Sequence, residues 1–176
     1  MKRSTCLVFL AFLFLFSSVS FAEPANFPAL DDVTLVDNYY KYLDTNGVIT
    51  VSQDFEIESN DNEDGSKIVT VNYSPSNGFD FSITYTDGHL TSYLLSLDPS
   101  NAYVKSKATE MMLCFQMAFS GYNAEKSLAV LVYLIQNIEP DPLFGKVCEV
   151  NKDGFIFKFT VTPINTMMLV IYPPEK

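Results

Sequence analysis

The sequence predicts an α+β domain: a mostly antiparallel sheet of about seven strands with helices packed on one face. Three observations favour this fold class. Five of the seven glycines directly follow Asn or Asp, and such dipeptides adopt the tight turns that join antiparallel strands. The stretches between these turns alternate apolar and polar residues, whereas three other stretches repeat apolar residues at helical spacing. The predicted order is one helix, a four-stranded meander, two helices and a three-stranded meander.

Residues 1–22 are predicted to be a cleaved secretory signal peptide rather than part of this fold. Lys2 and Arg3 form a basic start, residues 6–16 are an unbroken apolar run, and small residues lead to a cut after Ala22. The apolar run is shorter than the roughly 20 residues that span a membrane. The sequence therefore predicts an exported protein, either periplasmic or secreted.

Residues 23–176 are predicted to form one α+β domain, which is long enough to bury a substantial core. The whole chain has a net charge of −10, and loss of the two basic residues of the leader changes it to −12. A surface this acidic repels phosphate backbones and anionic head groups, so we expect neither nucleic-acid binding nor membrane docking after signal cleavage.

The first helix is predicted over residues 32–45. Asp31 is a suitable N-cap, and Leu30 and Leu35 are spaced as a hydrophobic staple. Gly47 lies just past the predicted end, where a glycine commonly terminates a helix.

Four strands follow, over residues 48–58, 67–74, 79–86 and 89–97, each with one apolar and one polar face. Short turns join them, so the sequence predicts an antiparallel meander. In the first strand the apolar face is predicted to carry Ile49, Val51, Phe55 and Ile57.

Two more helices are predicted after the meander. One begins near Ser100 or Asn101 and stops at Gly121; the next begins at Asn123 and ends before Pro140. Both have apolar residues on more than one side, so we expect each to be largely buried.

The last three strands are predicted over about 143–150, 155–162 and 166–172. The final one is apolar on both faces. This composition is typical of a strand at the centre of a sheet or of one covered by a helix.

Removal of the leader removes Cys6 and leaves Cys114 and Cys148. An even pair in an exported chain predicts a Cys114–Cys148 disulfide that ties the second helix to the fifth strand. The alternative is that both thiols are buried apolar side chains. One histidine and two cysteines do not complete a zinc site, so no metal site is predicted.

His89 is the single histidine and directly follows the Asp87-Gly88 turn. It is interpreted as an exposed residue at a strand start. A general base that uses a carboxylate brought from elsewhere is the alternative. No nucleophile lies in a Gly-x-Ser-x-Gly elbow.

The loop Asn60–Gly65 echoes the first, third, fifth and sixth positions of a calcium-binding loop. Val71 occupies the twelfth position, where a glutamate is required, and the flanks are predicted strands. A solvated hairpin tip is favoured over a weak cation site.

Tyr39, Tyr40 and Tyr42 lie close together on the first predicted helix and are proposed as a binding surface, because tyrosine combines contact area with a hydroxyl group. The alternative is that two of them pack under the helix and the third reaches solvent at its tip.

These residues predict a small exported, non-catalytic domain that uses no cofactor and binds a partner protein or a small ligand of unknown identity. One alternative is a small enzyme with a pocket, which uses His89 or a buried carboxylate together with tyrosines. Another is a structural subunit that oligomerises through an open edge strand.

Overall fold

A computed structural model describes residues 29–174, with side chains from Val33 onward. Three helices and one eight-stranded antiparallel sheet make up this part of the chain, which confirms the predicted α+β class. The predicted signal peptide over residues 1–22 lies outside the described residues.

The three helices are α1 (Ala29–Thr45), α2 (Ala102–Ser120) and α3 (Ala124–Gln136). The predicted Asp31 cap is wrong, because α1 begins two residues earlier, at Ala29. The Asn101 side chain accepts hydrogen bonds from the N–H groups of the first turn of α2, and Gly121 ends that helix with a φ of 69°. The Asn123 side chain caps α3 in the same way by accepting from the Lys126 N–H.

The sheet contains one strand more than expected, the three-residue β5 that precedes the last meander. The strands are β1 (Phe55–Asp61), β2 (Lys67–Ser76), β3 (Phe79–Thr86), β4 (His89–Leu97), β5 (Glu139–Asp141), β6 (Gly145–Lys152), β7 (Phe155–Val161) and β8 (Met167–Tyr172).

The first strand begins at Phe55 rather than at residue 48, because residues 48–54 bond to a helix side chain and to the end of β2 instead of joining a ladder. The Ile49 N–H donates to the Tyr103 hydroxyl, and the Val51 N–H donates to the Pro75 carbonyl over 2.6 Å. Irregular backbone therefore leads into β1.

The strand order is β1-β2-β3-β4-β8-β7-β6-β5, so β1 and β5 are the two edges among the described strands. Strand β8 pairs with β4 on one side and β7 on the other. Its buried residues lie on both faces, as expected for a central strand. The two meanders are therefore joined in one sheet through β8.

The core lies between the helices and one face of the sheet, with Tyr39 at its centre. Tyr39 is fully buried, and its ring lies edge-on 5.1 Å from Phe81 and 5.4 Å from Phe115. Edge-to-face contacts of this kind stabilise aromatic clusters beyond the burial of area alone. Helix α1 is thereby locked onto both α2 and the first meander.

Candidate functional site

The proposed tyrosine surface on α1 is not exposed. Tyr39 and Tyr40 are buried, and their hydroxyls donate to the carbonyls of Met111 and Ser52, each over 3.2 Å. Tyr42 is half-buried against the core. Burial raises the pKa of Tyr39 well above its usual value and that of Tyr40 to about 12. The structure therefore matches the alternative interpretation to the extent that two of the three tyrosines, Tyr39 and Tyr40, pack under the helix.

The predicted Cys114–Cys148 disulfide is absent; the structure holds both cysteines as free, buried thiols. Cys114 lies on α2, and its sulfur accepts a hydrogen bond from the Asn46 side-chain amide over 3.6 Å. Cys148 lies on β6 opposite Phe159. Burial, the main cause, raises the pKa of both thiols, that of Cys114 to about 11. They behave as small apolar residues at the end of α1 and under α3.

His89 begins β4 and pairs with Thr86 at one end of the β3–β4 hairpin. Asp80, whose carboxyl pKa is raised by burial, is the backbone partner of Ser96 at the other end. Six residues of extended chain separate the two positions, which is roughly 20 Å. The structure therefore does not bring this histidine and this buried carboxylate together.

Asn60 and Asp61 are the last residues of β1, and the rest of the Asn60–Gly65 loop, residues 62–65, lies at the tip of the β1–β2 hairpin. The Ser66 hydroxyl donates to the Asp64 carboxylate over 2.6 Å, and this bond lowers the pKa of Asp64. The Asn62 side-chain amide donates to the Ser66 hydroxyl over 2.7 Å. A carboxylate oxygen of Asp64 that would bind a cation is therefore used within the turn, as expected for a hairpin tip. Across residues 29–174, no cluster of three or more His, Cys, Asp and Glu is suited to hold a metal ion.

Exposed apolar side chains gather instead at β1, on a surface that we call the β1 edge surface. Phe55 is 56% exposed and Ile57 is 62% exposed, although both belong to the face of the sheet that packs against the helices further in. Ile49 and Val51, in the irregular segment before the strand, are exposed as well. The β1 edge surface comprises Ile49, Val51, Phe55 and Ile57.

A row of aromatic rings connects this surface to the core. Tyr73 of β2 stacks on Phe81 at 4.5 Å with an interplanar angle of 3°, and Phe55 lies 5.8 Å from Tyr73 on the outer side. Phe81 is buried, Tyr73 is half-buried and Phe55 is mostly exposed. The hydrophobic core therefore continues to the edge of the sheet and ends in solvent at Phe55.

The backbone of β1 is the second component of this site. All seven of its residues pair with β2 without a register shift, and no described strand lies on its outer side. In an antiparallel edge strand, alternate residues direct their N–H and C=O groups outward, where another strand can bind them. The opposite edge, β5, has three residues and contains Pro140, a proline that cannot donate a ladder bond.

The two faces of β1 differ in charge. Phe55, Ile57 and Ser59 lie on the helix side, whereas Glu56 and Glu58 lie on the other side. The strand thus presents an apolar face, an acidic face and a row of backbone hydrogen-bonding groups between them.

A second exposed apolar surface lies on α3, which packs against β6 and β7 at the far end of the sheet. Its inner side is formed by Ser127, Val130, Leu131 and Leu134. Its outer side bears an exposed stripe that consists of Leu128, Val132, Tyr133 and Ile135. The backbone N–H and C=O groups of a helix bond to each other along its length. A partner could therefore contact this stripe only through side chains.

The alternation of β1 is visible in the sequence, but alternation alone predicts that its apolar face lies in the core. The available signal was the concentration of acidic residues in the run 54–64, since edge strands commonly carry charged residues. The position of β1 at the edge depends on the long-range pairing of β4 with β8, and local periodicity does not contain that information.

No protein-family model, curated protein or solved structure matches this chain. None of the helices within residues 29–174 is both long and apolar enough to cross a membrane.

Proposed function

We propose that this protein is a small exported, non-catalytic domain that binds an extended segment of a partner polypeptide along β1. The observation that carries the proposal is the coincidence, on one strand, of exposed Phe55 and Ile57 with an open ladder edge. Strand addition to a sheet edge is a common mode of peptide recognition, in which backbone bonds supply affinity and side-chain contacts supply specificity.

A strand added beside β1 would be stabilised by apolar burial and by backbone hydrogen bonds. Its apolar side chains would lie beside Phe55 and Ile57 and remove part of their area from water. Its backbone would bond to the outward groups of β1 and continue the ladder that β2 begins. Neither gain requires a rearrangement of the core, because β1 is already paired in full register with β2.

Charge favours a partner over a second copy of this chain. Two β1 strands that pair antiparallel around a two-fold axis place the same face of each copy side by side. Glu56 and Glu58 would then lie among the equivalent glutamates of the other copy, and like charges directly opposite each other destabilise a strand pair. The glutamates of β1 therefore disfavour pairing of this strand with a second copy of itself, but they do not disfavour pairing with a strand from another protein.

The proposal is tested with an uncharged peptide of about nine residues in which valine alternates with serine, a length chosen to span a strand of this size. Binding to the exported protein is measured by calorimetry and by native mass spectrometry. We expect weak, saturable binding with one peptide per protein. Replacement of Ile57 by serine should reduce the affinity severalfold. Ile164→Ser, which removes another highly exposed isoleucine, from the β7–β8 turn, should leave the affinity unchanged.

Two results would contradict the proposal. Equal affinity in the two isoleucine variants would mean that the peptide binds elsewhere. A stable dimer of the unmodified protein that dissociates in Ile57→Ser would mean that β1 pairs with a second copy rather than with a partner.

A further inference from the structure

We infer that the segment captured by β1 is cationic, with lysine or arginine alternating with apolar residues. This inference rests on the proposed function and adds the chemistry of the partner to it. An added strand alternates its side chains in step with β1, so residues beside Phe55 and Ile57 face the apolar side. The residues between them face the side that carries Glu56 and Glu58.

The acidic side of β1 is well placed to select charge. Glu56 is exposed, and its direct neighbour on β2 is the uncharged amide Asn72. Directly opposed side chains on paired strands have Cβ atoms about 5 Å apart, near enough for an ion pair with a lysine or arginine on the added strand.

The charge of the whole molecule acts in the same direction. A net charge of −10, or −12 after loss of the predicted leader, attracts cationic chains from a distance and repels acidic ones, which increases the association rate for the former. Exposed apolar side chains alone would bind any extended apolar segment. The combination of one apolar face and one acidic face instead favours a segment in which apolar residues alternate with lysine or arginine.

Three peptides that differ only at alternate positions test this inference: valine alternates with lysine, with serine or with glutamate. At low salt we expect the lysine peptide to bind roughly tenfold more tightly than the serine peptide and the glutamate peptide to bind most weakly. This difference should shrink in about 0.5 M salt, because exposed ion pairs are screened.

A charge-reversal variant makes the test specific to β1. Glu56→Lys should reduce the preference for the lysine peptide and improve binding of the glutamate peptide. Glu125→Lys changes the charge equally on α3, at the far end of the sheet, and should preserve the order found for the unmodified protein.

The outcomes separate the two proposals. If all three peptides bind equally and Ile57→Ser weakens all of them, strand capture stands and the cationic partner is refuted. If none binds, including the lysine peptide, then the proposed function itself fails.

Discussion

The ring of Phe55 lies 5.8 Å from the ring of Tyr73, its direct neighbour across the β1–β2 pair, yet more than half of the Phe55 side chain is exposed. A phenylalanine in this position contributes little to the core, since Tyr73 already stacks on Phe81 and closes it. This exposed ring at a sheet edge is one of the features on which the proposed interaction surface is based.

Replacement of Phe55 by serine should therefore cost less than about 1 kcal/mol of the free energy of unfolding, because most of the side chain is already in water. Phe81→Ala, which removes a buried ring from the same aromatic row, should cost about 3–5 kcal/mol. Urea unfolding followed by circular dichroism measures both changes. A loss of similar size in the two variants would show that Phe55 is a core residue.

Gly145 should tolerate no side chain. Its φ is +87°, and a Cβ at this position would lie 2.5 Å from the Val161 carbonyl oxygen of the neighbouring strand. Gly145→Ala should cost at least about 2 kcal/mol. Gly47→Ala is the matched control, with a φ of +66° and open space around the added atom, and should cost about 1 kcal/mol. Equal thermal stability of the two variants would contradict the close approach at Gly145.

The two cysteines should remain reduced and unreactive in the native protein. Burial raises the pKa of Cys114 to about 11 and raises that of Cys148, so little thiolate is present near pH 8. We expect slow labelling by iodoacetamide in buffer and rapid labelling of both thiols in guanidinium chloride. An exported protein lighter by two hydrogens and unlabelled after unfolding would instead reveal the disulfide that the structure lacks.

Asp80 should make the protein less stable at neutral pH than at acidic pH. Burial raises its folded-state pKa above 3.8, and a hydrogen bond from Ser74 partly opposes the shift. The native state therefore keeps the proton to a higher pH than the unfolded chain does, and stability falls as the pH rises through the folded pKa.

Asp80→Asn removes this cost and should raise the Tm by roughly 2 °C at pH 7 but not at about pH 3. Asp37→Asn, which changes the same charge on the exposed side of α1, serves as the control in calorimetric scans. A Tm difference for Asp80→Asn that is unchanged between the two pH values would contradict the assignment.

Features encoded within a short stretch of sequence could be predicted well. Asn101 and Gly121 delimit α2 because a cap and a left-handed terminus are properties of a few neighbouring residues. The central position of β8 follows from its apolar residues on both faces, which only a buried strand can accommodate.

Features that depend on long-range packing could not be predicted in the same way. The burial of Tyr39 requires α2 to lie across α1. Cys114 contacts Asn46 at the end of α1, whereas Cys148 lies on β6, a strand that packs against α3. The exposure of Ile57 depends on which strand is outermost, and periodicity within β1 is the same at an edge as in the interior.

The most direct test of the account is the position of the bound valine–lysine peptide, measured by nuclear Overhauser contacts between its backbone and the amides of the protein. Strand capture predicts contacts with alternate residues of β1 between Phe55 and Asp61, together with protection of the outward amides from hydrogen exchange. Contacts with the exposed stripe of Leu128, Val132 and Ile135 on α3, and none with β1, would contradict it.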